Sequence, residues 1–359
     1  MKHILIVLTN SRINEKIRCI IPELSNHYKL SLYNIGEMSK HTSWYGDIDS
    51  RIKFKEETYK YFEEIIDGEG FSFHGDSINN IQLNSGYDGV IYDDNRIMPN
   101  LKIPVLYQKA KQYDIPVIGN SHGNRDFHSS ELDALGKSFD YTFVLGEKEK
   151  LIYSQVVDSD KLLKGGIPSN DSLKNIQRRD KYILVITNFL GNHPAGSSLY
   201  TNPFNQDFVD SVDLVGLSKY FDKPIVIKQK TRMDDPDYMK NISYIENLFP
   251  SDIDLNVITD TDDMDQLICD SHCIVSALST LCFKPIQKGI PTTMIKDSGM
   301  VGNFYDSNSL CELDKYNVYE SIEFQMKNGK DKVFIETTIE GGLKFNSTEK
   351  YINQIRNIV

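Results

Sequence analysis

Short runs of β-branched and aliphatic residues alternate along this chain with helix-length amphipathic segments, the pattern that builds a parallel sheet covered by helices on both faces. In the first half the pattern predicts strands at 3–9, 29–34, 89–92, 116–120, 142–145 and 161–164. After the first of these, Ile17, Ile20, Ile21 and Leu24 fall on one face at helical spacing with Ser11 available as N-cap, so residues 12–24 are expected to form a helix and complete a βα unit. Residues 37–86 are less regular: an aromatic-rich polar stretch, an expected helix at 56–66, then a connection rich in Gly and Asn. A polar, charged stretch at 172–180 reads as a linker. A second series follows it, with strands expected at 182–188, 224–228, 256–259, 273–276 and 292–295. The last segment, 347–359, carries Tyr351, Ile352, Ile355 and Ile358 and is expected to be a helix packed back on the first domain. The expected fold class is therefore α/β, with two doubly wound, Rossmann-like domains at 1–175 and 176–346. Their strands would open by their carboxyl ends onto a central cleft.

Composition adjusts this picture only in part. A chain of 359 residues is long for one core and suits two α/β domains. With 40% hydrophobic and 25% charged residues, general disorder and collagen-like repeats are excluded. A net charge of −11 works against sequence-independent affinity for polyanions, so no nucleic-acid partner is expected and at most a peripheral membrane association. The first apolar run, Ile4 to Leu8, is too short for a signal-peptide core or a bilayer span, which points to a cytoplasmic location. Five cysteines (Cys19, Cys269, Cys273, Cys282 and Cys311), with no CxxC pair, read as reduced thiols. His272 lies between Cys269 and Cys273, but zinc would need a second ligand pair nearby in sequence. Asp-x-Asp recurs at Asp47/Asp49, Asp158/Asp160, Asp252/Asp254 and Asp260/Asp262, too often for one copy to mark a metal site. Residues 260–265 are expected to open a helix. No metal and no resident cofactor are expected.

The most informative stretch is 270–291. A strand ends near Ser276, Ser279 or Thr280 is placed to cap the next helix, and Gly289-Ile-Pro291 stops it. Free N–H groups and the helix dipole at such a terminus favour phosphate. Ser276-Ala-Leu-Ser-Thr280, followed by a helix and Gly-x-Pro, resembles the nucleotide-diphosphate-binding segment of GT-B glycosyltransferases, in particular capsule-polysaccharide transferases and CDP-glycerol glycerophosphotransferases. Gly166-Ile-Pro-Ser-Asn-Asp-Ser-Leu173 resembles the Gly-x-Pro-Arg-Asn-Asp-x-Leu motif of the glycerophosphotransferases, with Ser169 in place of Arg. Ser121-His-Gly123 resembles their His-Gly motif, and the resemblance spans roughly 115–295. It departs at Lys228-Gln-Lys-Thr-Arg232, where the family carries Lys-x-His-Pro; losing that histidine favours a sugar over a glycerol-phosphate donor.

The resemblance implies a metal-independent glycosyltransferase with a GT-B-like fold, acting in bacterial surface polysaccharide synthesis. Its donor would be a sugar, or polyol phosphate, activated by a nucleotide diphosphate or CMP. Ser279, Thr280, Lys228, Arg232, Asn188 and Ser276 would hold that donor in the second domain. His122 would deprotonate the acceptor hydroxyl, a task suited to an imidazole that is neutral near pH 7. Asp94, beside Asp93 after the strand at 89–92, is the rival base. Asn10, Asn120 and Arg125 would contact a polysaccharide or lipid-linked acceptor. The same fold admits a nucleotide-sugar 2-epimerase, and a catalytically inactive nucleotide-binding subunit is a further reading. Modification of DNA bases is disfavoured by the acidity.

Overall fold

The computed structural model describes residues 1–8, 15–34, 73–74, 83, 86–93, 103–120, 139–187, 204–229, 238–258, 263–277, 280–296, 310–312 and 318–359. The helix expected at 56–66 lies outside them. The chain divides into unit 1, Met1–Asp171 with Glu336–Val359, and unit 2, Ser172–Ile335.

Unit 1 runs β1 (His3–Leu8), α1 (Glu15–Ser25), β2 (Lys29–Asn34), β3 (Phe73–His74), β4 (Gly89–Tyr92), α2 (Ile103–Lys111), β5 (Val117–Asn120), β6 (Tyr141–Val144), α3 (Glu147–Tyr153) and β7 (Leu162–Lys164). The strands pair in parallel in the order β3-β2-β1-β4-β5-β6-β7. Alternation sorts the side chains. Leu5, Val7, Val90, Tyr92 and Val117 share one face with Leu106 and Tyr153. Ile4, Ile6, Leu32, Ile91 and Ile118 share the other with Ile17, Ile20, Ile21 and Leu24 of α1.

Unit 2 runs β8 (Tyr182–Thr187), α4 (Gln206–Val212), α5 (Leu214–Phe221), β9 (Ile225–Gln229), α6 (Tyr238–Glu246), β10 (Leu255–Ile258), α7 (Met264–Cys269), β11 (Ser271–Ala277), a 3-10 turn at Thr280–Cys282, α8 (Phe283–Lys288), β12 (Thr292–Lys296), β13 (Leu310–Glu312) and α9 (Val318–Asn328). Its sheet is again parallel, in the order β10-β9-β8-β11-β12-β13. Taken from its first strand, that is the 3-2-1-4-5-6 order of a dinucleotide-binding fold. β3 and β13, two and three residues long, give no readable pattern in the sequence.

Two more helices close the chain. α10 (Lys332–Thr338) crosses the boundary between the units, and α11 (Ser347–Ile358) belongs to unit 1. The first boundary falls at Asp171/Ser172, before the 175/176 expected, because these two neighbours are tied to different partners. The Asp171 carboxylate accepts the backbone N–H groups of Ser347 and Thr348 at 3.1 and 2.7 Å, whereas the Ser172 hydroxyl donates to Asp265. The chain re-enters unit 1 at Glu336, earlier than the residue 347 expected. Phe334 packs edge-on against Phe283, while the Thr338 backbone abuts Gly146.

The segment resembling a glycerophosphotransferase motif builds this docking site. Gly166 has φ +70°, and a Cβ there would lie 2.2 Å from the Glu340 carbonyl oxygen and 2.4 Å from Ser347 Oγ. Only glycine meets both demands. Asp171 then acts as a tertiary N-cap for α11, whose adjoining Asn346 makes no side-chain cap bond.

Candidate functional site

In a doubly wound sheet the ligand crevice lies outside the carboxyl ends of the strands, where the order reverses. In unit 2 that point is between β8 and β11, and in unit 1 between β1 and β4. Asn10, Asp94, His122, Arg125, Asn188, Arg232 and Ser279 lie outside the described residues. Four sequence-predicted residues remain: Lys228, Ser276, Thr280 and Asn120.

Register puts two of these on one line in unit 2. Lys228 pairs with Ile186, Ile186 with Ser276, and Ser276 with Met294. Residues paired across parallel strands share a face, so Lys228 and Ser276 stand two strands apart, about 10 Å at ~4.8 Å per strand. Lys228 is half-buried at the carboxyl end of β9. Ser276 is wholly buried, and its hydroxyl lies 3.4 Å from the Ile186 carbonyl, within the sheet. Its side chain thus bridges β11 and β8.

The helix after β11 also differs from expectation. Thr280 opens a 3-10 turn, and the regular helix begins only at Phe283. Its N-cap is Cys282, with no side-chain cap bond, and α8 is six residues long. So short a helix, entered through a tighter turn, supplies little of the dipole on which the sequence argument drew. Gly289 does end it, at φ +83°, with its N–H reaching Ile286 and Pro285. Lys284, nearly buried, is held by Asp265 at 2.7 Å.

Sequence reading missed Thr187. It ends β8 on the opposite face from Lys228, and its Oγ1 is buried without any hydrogen-bond partner. A hydroxyl enclosed at a switch point with its bonding capacity unspent is suited to a ligand that arrives with oxygens. The one trace in the sequence is that Thr187 closes an otherwise apolar run, Tyr182 to Ile186.

In unit 1 the β4 and β5 ends are described as far as Asp93 and Asn120. Asp93 is fully buried, and its N–H bonds the Val7 carbonyl at 3.0 Å across the switch point. Asn120 is fully buried too: its amide nitrogen donates to the Tyr92 carbonyl, and its oxygen accepts from the Tyr351 hydroxyl. Both ends of the side chain are engaged inside unit 1. Asn120 is thus an internal bridge between β4, β5 and α11. Burial pushes the Tyr351 and Tyr92 phenols well above their ordinary range, so both stay protonated.

Among the described residues there is no cluster of three or more potential metal ligands. The Cys273 thiol is pushed up to about 12 by burial, against a weaker pull from Arg178. Cys269 is raised as well, mainly by burial. Neither thiol is predisposed to act as a thiolate ligand. No helix among the described residues is long and apolar enough to cross a membrane.

No protein-family model matches the chain, and no curated protein matches it in sequence. Solved structures do. The UDP-GlcNAc 2-epimerase from Methanocaldococcus jannaschii aligns with TM-score 0.62 and 13% identity over 99% of this chain and 100% of that one. The UDP-GlcNAc 2-epimerase from Neisseria meningitidis, bound to UDP-GlcNAc, aligns with TM-score 0.60 and 15% identity over 99% and 100%. A glycosyltransferase from Rickettsia africae aligns with TM-score 0.54 and 12% identity over 99% and 97%. The chain thus has the GT-B-type fold, an α/β architecture of two Rossmann-like units. Its structural neighbours are enzymes, and several are described in complex with UDP or UDP-sugars.

Proposed function

We propose that this protein binds a nucleotide-activated sugar through unit 2 and breaks the bond between the anomeric carbon and the leaving phosphate. The observation that carries this reading is the β8/β11 switch point. Doubly wound sheets bind ligands outside the strand ends at such a point, Thr187 ends β8 there with a buried hydroxyl that has no hydrogen-bond partner, and Lys228 stands near the end of the neighbouring strand, which supports the reading. A lysine beside a departing diphosphate lowers the barrier by offsetting the developing charge. Arg232, Ser279 and Thr280 are the further donor contacts in this proposal. His122 is the base that takes the proton from an acceptor hydroxyl, with Asp94 as the rival, and the outcome is glycosyl transfer in surface polysaccharide synthesis. The Ser121-His-Gly123 resemblance favours transfer.

The structural neighbours favour a second reaction on the same site, since most of those named above are 2-epimerases. There the nucleotide departs by elimination as a base removes the C2 proton, then adds back after protonation from the other face.

One experiment divides these readings. Thermal unfolding with UDP, GDP, CDP and CMP and their sugars should show stabilisation by one of them, because a ligand of the folded state alone raises apparent stability. No shift with any of them would sink the proposal. With the stabilising donor in heavy water, an epimerase places deuterium at C2 without net release of nucleotide. A transferase releases free nucleotide in step with the acceptor and leaves C2 protonated.

A further inference from the structure

Strand β11 carries one residue more than its neighbour matches. Ser271 pairs with Tyr182 and Cys273 with Ile183, so His272 is the extra residue of a β-bulge. Along a regular strand, consecutive side chains point to opposite faces. Here Cys273 joins the cluster that includes Phe221 of α5, and the His272 ring reaches the same residue. It lies edge-on to Phe221, centroids 5.0 Å apart and planes at 61°. Both ring nitrogens are enclosed, and neither has a hydrogen-bond partner. A neutral imidazole has one N–H to give and one lone pair to fill, and at this position both go unused.

A short strap, residues 178–181, leads into β8 beside this ring. The Arg178 guanidinium donates to the His272 carbonyl at 3.0 Å, to the Gly289 carbonyl at 3.3 Å and to the Asp180 carboxylate at 2.6 Å. The Arg179 N–H bonds the Cys269 carbonyl at 3.1 Å, and the Lys181 N–H bonds that of Asp270 at 2.6 Å. Between them Asp180 holds a positive φ of +52°, a backbone state that costs any residue but glycine. Burial is the largest influence on the ring and opposes a proton. Asp180 of the strap favours one, while Lys223 beyond α5 and Arg178 of the strap oppose it.

We propose that the strap is an acid-released latch, closed beside a neutral His272 and opened when that ring takes a proton. An imidazolium needs acceptors for two N–H groups, and the enclosed nitrogens meet none in the bulge. The carboxylate that acts on the ring is that of Asp180, which Arg178 holds. Turning toward it takes the ring off Phe221 and draws Asp180 from the guanidinium whose other bonds fasten the strap to β11 and to the end of α8. The latch lies wholly within unit 2 and depends on no reading of what that unit binds.

Hydrogen exchange of the full chain, expressed as protection relative to an unstructured peptide at each pH, tests this. From about pH 7.5 to about pH 5.8, protection of the Arg179 and Lys181 amides should fall about fivefold, the effect of one proton taken up by an opened ring of ordinary pKa near 6.5. The amides of Val209 in α4 and Ile225 in β9, each bonded to a backbone carbonyl, should keep theirs. His272→Gln should leave the strap equally protected at both pH values. His272→Phe keeps a ring without a titrating nitrogen and decides the matter if the first variant does not fold. Full protection of the wild-type strap at the lower pH would overturn the proposal, as would the same acid loss in a folded His272 variant. A loss shared equally by Val209 and Ile225 would overturn it too, since the proton would then act on the whole unit.

Discussion

Asp171 and Gly166 show how differently one residue reads in sequence and in space. In sequence they belong to a motif resembling one from phosphotransferases. In the structure Gly166 is glycine because its φ is positive and the Glu340 carbonyl leaves no room for a Cβ, and Asp171 caps a helix that starts 176 positions later. Asp171→Ala should therefore destabilise unit 1 by about 1–3 kcal/mol, the range for losing a charged cap on two backbone donors. Urea unfolding measures this, and a change below a few tenths of a kcal/mol would contradict the capping role. Thr187 leads to the opposite expectation. Since its buried hydroxyl has no partner, Thr187→Val removes a desolvation cost and should leave stability unchanged or raised. If the hydroxyl serves the ligand, the same variant should bind the stabilising nucleotide about 2–10-fold more weakly, the value of one neutral hydrogen bond. Calorimetric titration reads the second effect and thermal unfolding the first. Lys228 was legible as a strand-end cation. The inward turn of Ser276 and the bridging role of Asn120 were not, because a hydroxyl or an amide looks the same in sequence whether it faces a ligand or a carbonyl.

Elements were the most legible scale. All eleven strands expected from the pattern are present within a few residues, because a strand buried on both faces is a contiguous apolar run that needs no distant information. The exceptions share a physical cause. β3 and β13 pair with one neighbour each and are too short to carry a period. α8 starts later than its hydroxyls suggest because Thr280–Cys282 winds as a 3-10 turn first. The expected helix opening near 260–265 is present as α7, with the Asp263 side chain accepting the Gln266 N–H. Packing of these elements also makes a chemical prediction. Cys273 lies in β11 and Cys269 at the end of α7, both buried with raised pKa, while Cys19 on α1 is part-exposed. At pH 8 a thiol reagent should label Cys19 and spare Cys269 and Cys273 until the protein unfolds. Peptide mass mapping checks this, and early labelling of Cys273 would mean that β11 opens in the native state.

At the scale of the molecule, two imidazoles contribute a pH dependence of definite sign. Burial lowers His3, with Lys29 adding to the effect, and lowers His272, where Lys223 and Arg178 add and Asp180 opposes. Neither ring nitrogen of His272 has a hydrogen-bond partner, so the pull of Asp180 on a proton there is not reinforced by a hydrogen bond. Below about pH 6.5 the unfolded chain takes up protons at these sites that the folded chain refuses, so stability should fall from pH 7 to pH 5. Melting temperatures across that range measure it. His272→Gln should flatten the acid slope, and an unchanged slope would assign the effect elsewhere.

By itself the sequence determined that this is an α/β protein of two parallel-sheet units, because strand and helix are written in local periodicity and the break at 172–180 in local composition. Tertiary structure alone decided which polar groups meet. Lys228 and Ser276 share a row only through register across β8. Asp171 finds Ser347, and Asn120 finds Tyr351, across 176 and 231 positions. Such contacts arise from packing two distant surfaces together, and no local period encodes them. Residues of the proposed site were visible in the chain, and the fold determined how those it describes are engaged: Ser276 across β11 and β8, Asn120 between β4, β5 and α11.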